Sequence, residues 1–189
     1  MVSEVEVIVI GGGHAGVEAA WAASSVLNSG KVAFVTMDQK TIGVMSCNPA
    51  IGGLGKGHLV KEIDALGGIM GRAADACGIQ FKMLNKSKGR AVWSPRAQID
   101  KHQYAHYIQS ILFAHTNISI IQDEVVDFSV DGGSVSGVVL RKGGVLKTNA
   151  LIVCSGTFLN GLIHVGKEHY SAGRFGERAV IGLSHSIVS

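Results

Sequence analysis

An α/β fold, with a mainly parallel sheet and an antiparallel β-meander as an excursion from it, is predicted by three features of the sequence. An apolar strand near the start runs without interruption into a glycine-rich turn and an alanine-rich helix. A second apolar strand follows that helix at once. After a series of short, turn-separated strands, the fully apolar segment 150–154 has the composition of a strand returning to a parallel sheet. With 47% hydrophobic residues over 189 positions the chain has material for one good core, so a single domain spanning 1–189 is expected.

The opening strand is Val5-Glu6-Val7-Ile8-Val9-Ile10, and the turn is Gly11-Gly12-Gly13-His14-Ala15-Gly16. Glycines at 11, 13 and 16 fit the G-x-G-x-x-G spacing of a dinucleotide-binding turn. The first permits the tight turn, the second lets a pyrophosphate approach the backbone, and the third lets helix and strand pack closely. The helix N-terminus then turns its N–H groups and the positive end of its dipole toward the phosphates. With 26 glycines in the chain the bare spacing can arise by chance, so the flanking strand and helix are what single this one out. Ala15, Ala19, Ala22, Ala23 and Val26 recur at helical spacing, and Gly30 stands where a stop is expected. The strand Lys31 to Thr36 completes a Rossmann-like βαβ unit. Asp38, just beyond it, stands where an acid meets a ribose hydroxyl, although an aspartate at a strand end serves equally as a turn former.

A long irregular stretch, 41–57, comes next, then a helix from His58 to Leu66 closed by Gly67-Gly68. A strand at Ile79 to Leu84 and a polar segment, 85–95, lead to a helix from about Ala97 to His115. Its stripe of Tyr104, Tyr107, Ile108, Ile111 and Leu112 follows the i, i+3, i+4, i+7, i+8 pattern of a packed helix. Short strands at 118–121, 125–130, 135–140 and 145–147, separated at two of their junctions by Gly132-Gly133 and Gly143-Gly144, read together as the meander. Beyond Gly161 the pattern weakens to a short helix near the end.

Seventeen basic against fourteen acidic residues give a net charge of +3, too mild to demonstrate a nucleic-acid partner. The apolar runs fall far short of the ~20 residues of a membrane helix, and the N-terminus lacks the basic region of a signal peptide, so a soluble cytoplasmic protein is expected. Cys47, Cys77 and Cys154 are too widely spaced for a CxxC zinc site or a disulfide framework. Cys77 and Cys154 are assigned to the core. His102 and His106 lie one helical turn apart, opposite the apolar stripe and without a third ligand, so no metal site is expected.

The segment Met45-Ser46-Cys47-Asn48-Pro49-Ala50-Ile51-Gly52-Gly53-Leu54-Gly55-Lys56-Gly57 is chemically unusual. It is not a phosphate loop of the G-x-x-x-x-G-K-[ST] type, because Ala50 takes the leading glycine position and Gly57 follows the lysine. Its glycines would let the backbone approach a flat ring. Cys47 is then either a thiolate activated beside exposed N–H groups or a small core residue. Lys82, Lys86, Lys88, Arg90, Arg96 and Lys101 fall within twenty residues whose only acid is Asp100. They form either a phosphate-binding stretch or a solvated loop.

These segments resemble one family closely, the bacterial and mitochondrial tRNA uridine 5-carboxymethylaminomethyl modification enzymes, or glucose-inhibited division protein A family. The likeness rests on GGGHAG at Gly11, the run from Met45 to Gly68, GIQFKMLNKSKG from Gly78, PRAQIDK around Arg96, SGTFLNGLIHVG from Ser155 and YSAGR from Tyr170. The resemblance implies an FAD-dependent enzyme that, with a GTPase partner, adds an aminomethyl-type group at C5 of the wobble uridine of certain tRNAs. Methylene-tetrahydrofolate would supply the one-carbon unit, and NADH would reduce the flavin. Gly11, Gly12, Gly13, His14, Ala15 and Gly16 would hold the FAD pyrophosphate, Val125 would meet the adenine through its backbone, and Cys47 would act as a nucleophile or redox thiol toward uridine. Full-length members are implied to form homodimers. They are several times longer, with an NADH-binding insert, a returning flavin segment and a helical C-terminal domain, so the chain reads as an N-terminal FAD-binding fragment not expected to catalyse alone. Two alternatives stand beside this reading: a flavoprotein oxidoreductase acting on a small metabolite, and a noncatalytic nucleotide- or RNA-binding module.

Overall fold

The computed structural model describes residues 4–28, 30–46, 48–181 and 183–188. In chain order its elements are β1 (Val7–Ile10), α1 (His14–Val26), β2 (Val32–Thr36), β3 (Ala50–Gly52), α2 (Lys56–Ala65), α3 (Met70–Cys77), β4 (Gly78–Leu84), β5 (Ser94–Ile99), α4 (Lys101–Ala114), β6 (Ile118–Gln122), β7 (Val125–Asp131), β8 (Ser134–Leu140), β9 (Val145–Lys147), β10 (Leu151–Val153), β11 (Leu162–Val165), β12 (Glu168–Ser171) and α5 (Leu183–Val188). Composition alone predicts one core; the chain instead divides into two compact units, Met1–Lys40 with Thr116–Ser189, and Thr41–His115.

The first unit is built on a four-stranded parallel sheet in the order β10-β1-β2-β6. Ile8 pairs with Ala33, Val9 with Phe34 and Ile10 with Val35, so alternate residues of the two central strands share faces. Ile8, Ile10, Ala33 and Val35 form one core face with Val125, Val138 and Leu146 of the meander β7-β8-β9. Val9 and Phe34 lie on the other face, where α1 packs. All five residues of β2 are buried, which is why this strand reads as an unbroken apolar run. The meander is tied back to β1 by the buried Thr148, whose hydroxyl donates to the Glu6 carbonyl at 3.0 Å and accepts from the Ala150 N–H at 3.2 Å.

One strand changes sheet relative to the sequence reading. Residues 118–121, expected in the meander, pair parallel with β2, and the Val32 N–H donates to the Asn117 carbonyl at 2.9 Å. The apolar Ile118, Ile120 and Ile121 suit a strand with cover on both faces better than a half-solvated ribbon. The returning segment does rejoin the parallel sheet, with Leu151, Ile152 and Val153 opposite Ile8, Val9 and Ile10. Beyond Gly161 the chain forms an antiparallel hairpin, β11–β12, before α5.

The second unit holds a three-stranded antiparallel sheet, β3-β5-β4, with α2, α3 and α4. Helix α2 begins at Lys56 rather than His58. It ends in a Schellman arrangement: Gly67 at φ +86° donates to the Asp64 carbonyl, and the Gly68 N–H donates to that of Ile63. The helix expected from about Ala97 starts only at Lys101, because Asp100 caps it, its carboxylate accepting from the N–H groups of His102 and Gln103 at 3.0 Å each. Residues 97–99 belong instead to β5. Tyr104, Ile108 and Leu112 bury the predicted stripe. No helix among the described residues is long and apolar enough to cross a membrane.

Candidate functional site

Parallel pairing puts the C-terminal ends of β10, β1, β2 and β6 along one edge of the first unit's sheet, the edge where open α/β sheets bind ligands. Of the sequence-predicted residues, the glycine turn, Asp38 and Val125 follow the ends of these strands. Gly11 directly follows β1, Asp38 stands two residues past β2, and Val125 lies three residues past β6.

Three glycines of the turn have different physical reasons. Gly11 adopts φ +109°, and a Cβ there would sit 2.3 Å from the Cys154 carbonyl oxygen, so the turn is pressed against the end of β10. A Cβ at Gly16 would fall 1.8 Å from the Gly11 carbonyl oxygen and 3.3 Å from the Phe34 ring, which is the close helix-to-strand packing expected of the third glycine. Gly13 differs from both. Its φ of −76° and ψ of −177° are open to any residue, and a Cβ there meets nothing within 4 Å. No protein atom requires glycine at 13, and the space in front of it is free for a group that approaches the backbone.

Helix α1 starts with Gly13 as its N-cap, without a side-chain cap and without an acid in its first turn. Its first intrahelical bond runs from the Val17 N–H to the Gly13 carbonyl, so the N–H groups of His14, Ala15 and Gly16 point out of the helix end. Positive potential there is undiminished by any carboxylate of the first turn, which suits a diphosphate. Gly12 and His14 are half-buried, while Gly13 and Ala15 are exposed.

Asp38 makes a turn. One carboxylate oxygen accepts from the Lys40 N–H at 2.9 Å, and its carbonyl accepts from the Thr36 hydroxyl at 3.4 Å. The Val125 side chain is buried in the core of the unit, so only its backbone is available to a ligand. Next to it, the buried Asp123 accepts from the N–H groups of Glu124 and Lys142, and Arg141 clamps Glu124 in a two-pronged ion pair at 2.6 and 2.8 Å that fixes the entry to β7. The end of β10 was missed as a wall of this site. Its signal was present, an apolar strand stopping at Ser155-Gly156-Thr157.

Cys47 lies outside the described residues. Cys77 is buried, and its thiol is pushed up by that burial and by the negative charge of Asp100. Cys154, expected in the core, is only half-buried because it stands at the exposed end of β10; burial still pushes its thiol up. Neither environment favours a thiolate. His102 and His106 are both exposed on α4, and among the described residues no three His, Cys, Asp or Glu side chains converge as a metal site.

In the basic stretch of the second unit, two short 3-10 turns, Lys86–Lys88 and Arg90–Val92, present their cations to solvent. Trp93 is held there by its indole N–H, which donates to the Lys86 carbonyl at 3.3 Å, and the Arg90 guanidinium stands 5.8 Å from its ring centre.

A family model described as Glucose inhibited division protein A matches residues 6–189. The chain is 52% identical over 184 residues to the tRNA uridine 5-carboxymethylaminomethyl modification enzyme MnmG of Aquifex aeolicus, covering 97% of this chain and 30% of that protein. It is 50% identical to the enzyme of the same name from Campylobacter hominis, covering 97% of this chain and 28% of the relative. The chain thus spans less than a third of the length of these curated relatives. The solved structure of Aquifex aeolicus GidA in its form II crystal superposes with a TM-score of 0.94 at 51% identity, over 100% of this chain and 31% of that one. The GidA-related protein from Thermus thermophilus shares the fold at 17% identity, with a TM-score of 0.67 over 97% of this chain and 67% of its own.

Proposed function

The chain belongs to the glucose-inhibited division protein A family, and from that premise we propose that it is the FAD-binding part of an enzyme that modifies C5 of the wobble uridine in certain tRNAs. The observation that carries the reading is the division of labour in the turn. Gly11 and Gly16 are demanded by the protein's own packing, whereas Gly13 faces open space at an uncapped helix N-terminus. That is the arrangement a diphosphate needs.

In this reading the N–H groups at the start of α1 hold the FAD pyrophosphate, with Gly11, Gly12, Gly13, His14, Ala15 and Gly16 forming the cradle. Asp38 reaches a ribose hydroxyl from its turn, and the backbone at Val125 meets the adenine. The bound flavin supplies the redox chemistry. Cys47, one residue before Asn48-Pro49, is the group proposed to attack or exchange electrons with the uridine. With a GTPase partner the whole enzyme installs a carboxymethylaminomethyl or aminomethyl group, taking its carbon from methylene-tetrahydrofolate and its electrons from NADH. It works as a homodimer in the cytoplasm. The 189 residues alone bind FAD weakly and do not complete the reaction.

Calorimetric titration of the purified chain with FAD tests the cofactor, and saturable one-site binding is the expected result. Activity is tested by mass analysis of tRNA nucleosides after incubation with the full-length protein, its GTPase partner and the one-carbon donor. An unmodified wobble uridine under those conditions, with FAD bound, would overturn the assignment of substrate.

A further inference from the structure

The loop that joins β4 to β5 in the second unit, residues 85–93, is tied into a fixed shape by its own hydrogen bonds. Its two 3-10 turns are closed by the Lys88 N–H donating to the Asn85 carbonyl at 2.9 Å and the Val92 N–H to the Gly89 carbonyl at 3.3 Å. Two side chains lock the turns to each other: the Asn85 amide donates to the Val92 carbonyl, and the Trp93 indole N–H to the Lys86 carbonyl, each at 3.3 Å. A tip ordered in this way before it meets a partner loses little conformational entropy on binding one.

Two properties of this tip are unfavourable for the protein by itself. Lys86, Lys88 and Arg90 are all exposed, and residues 85–93 contain no acid. Two register steps down the hairpin from its last pair, Leu84 with Ser94, Lys82 on β4 stands directly opposite Arg96 on β5, where like charges repel. Among the described residues the ion pairs are Arg141 with Glu124 and Arg174 with Glu177, so none of these cations is neutralised by a protein carboxylate. Asp100, the one acid of the basic stretch, is occupied in capping α4. The second property is Trp93, which stays 37% exposed although the Arg90 guanidinium lies over its ring. A large aromatic ring left this open forgoes hydrophobic burial that the chain itself does not supply.

We infer that this tip grips an unpaired segment of the substrate tRNA, with one base stacked on Trp93 beside Arg90 and the phosphates flanking that base on Lys86 and Lys88. The inference rests on tRNA being the substrate and names a surface of this chain that holds it. Single-stranded RNA is bound in this manner, its bases on aromatic rings or guanidinium planes and its backbone on cations. Ring and charge can serve one ligand here because they are already neighbours: the Lys86 carbonyl holds the indole edge, and Arg90 stands 5.8 Å from the ring centre. Lys82 and Arg96 extend the positive track down the hairpin by about 7 Å, at ~3.4 Å per residue of strand. A paired duplex keeps its bases inside the stack and offers the ring nothing. An acidic peptide would engage the cations and leave the ring without a flat partner.

Trp21 and Trp93 are the two tryptophans of the chain, so Trp21→Phe leaves Trp93 as its one indole fluorophore. Titrating that variant with an anticodon stem-loop, beside a blunt duplex of equal phosphate number, reads stacking while the tip stays intact. Quenching by the stem-loop and far less by the duplex is expected. By fluorescence anisotropy with a labelled stem-loop, Trp93→Leu should weaken binding about tenfold or more, while Trp93→Phe, which keeps a ring, stays closer to the parent. Lys86→Gln and Lys88→Gln should each lower the salt-dependence slope by about 0.7, the value for one single-strand phosphate contact. Lys147→Gln, the same charge loss in the first unit's meander, leaves the slope unchanged. No stem-loop binding by the parent, Trp93 emission unchanged at stem-loop saturation, or equal quenching by the duplex would each overturn the inference. So would quenching matched by a polyglutamate peptide, which would make the tip a contact for acidic protein. Should Trp93→Leu melt early, the quenching result decides. The full-length enzyme separates this inference from the reading beneath it. If Trp93→Leu modifies uridine with an unchanged KM for tRNA, only the tip assignment falls; if Trp93 stacks on the stem-loop but the wobble uridine stays unmodified, only the substrate assignment falls.

Discussion

Gly13→Ala and Gly16→Ala, made side by side, are expected to damage different properties. At 13 the new methyl meets no protein atom within 4 Å, and the backbone angles suit alanine. Alanine is a poorer N-cap than glycine by roughly 0.5–1 kcal/mol, while restricting the unfolded chain returns about 0.4–1 kcal/mol. The two offset, so the melting temperature should move by less than about 2 °C at the ~2–4 °C per kcal/mol typical of a chain this long. At 16 the methyl would stand 1.8 Å from a main-chain oxygen. Backbone must shift to admit it, at the upper end of the ~1–3 kcal/mol of an overpacked site or above it. That corresponds to a fall of about 6 °C or more.

Cofactor affinity reverses the order of severity per unit of stability lost. On the proposed assignment the Gly13→Ala methyl would occupy the approach of the pyrophosphate, and a clash of ~1–3 kcal/mol would weaken FAD about 5- to 150-fold at 1.4 kcal/mol per decade. Thermal melts of the cofactor-free protein and calorimetry with FAD measure both quantities. A Gly13→Ala variant that binds FAD as tightly as the parent would show that the open space is not where the diphosphate sits. If that variant melts as early as Gly16→Ala does, the space is not open.

Asp100 has its carboxyl held below the ordinary range, chiefly by the Gln103 N–H and then by that of His102. A depressed folded-state value contributes stability above the unfolded value and loses it as pH falls through the folded one. Asp100→Asn keeps a good cap that does not titrate, so melting temperatures of parent and variant should converge on acidification; a constant gap would refute the cap's ionisation. Ile108 is fully buried, and Ile108→Ala should cost about 2–5 kcal/mol in urea denaturation; a loss under about 1 kcal/mol would mean that α4 does not carry the core of its unit. Burial raises the thiols of both Cys77 and Cys154, so each should alkylate with iodoacetamide more slowly than free cysteine near neutral pH. Peptide mapping should find Cys47 labelled first if it is the active thiol, and Cys47→Ser should abolish uridine modification by the full-length enzyme while leaving FAD binding intact.

The first unit was legible because its signals are local and mutually consistent. The run Val7–Ile10, the glycine spacing, the alanines of α1 and the all-buried β2 each follow from one chemical rule, and all agree on a parallel βαβ start. Residues 118–121 were harder. As a short apolar run they fit a meander or a parallel strand equally well, and only the pairing with Val32–Thr36 decides, a contact between segments far apart in sequence. The glycine spacing was readable as a pattern, but which of these glycines the protein's own packing demands, Gly11 and Gly16 and not Gly13, emerges only from the position of Cys154 and of the turn's own carbonyl.

The second unit was obscured by Pro95. A proline normally argues against a central strand, because it has no N–H for the ladder. Strand β5 is central, between β3 and β4, yet Pro95 escapes the rule because β3 has already ended: Gly52 pairs with Arg96, and past it the chain uses only the Pro95 carbonyl, which accepts from the Gly53 N–H at 2.8 Å. Ala97 and Gln98 then lean toward helix by propensity and merge by eye with α4. The break between strand and helix was nonetheless written in the chain. Asp100 followed three residues later by Gln103 has the spacing of a capping box; the Gln103 backbone N–H and side-chain amide donate to the Asp100 carboxylate at 3.0 and 3.1 Å, while the Asp100 N–H goes to the Cys77 carbonyl and not back to Gln103. Local capping chemistry therefore outweighs residue propensity at such a junction, and a helix start should be placed at the acid even where good helix formers precede it.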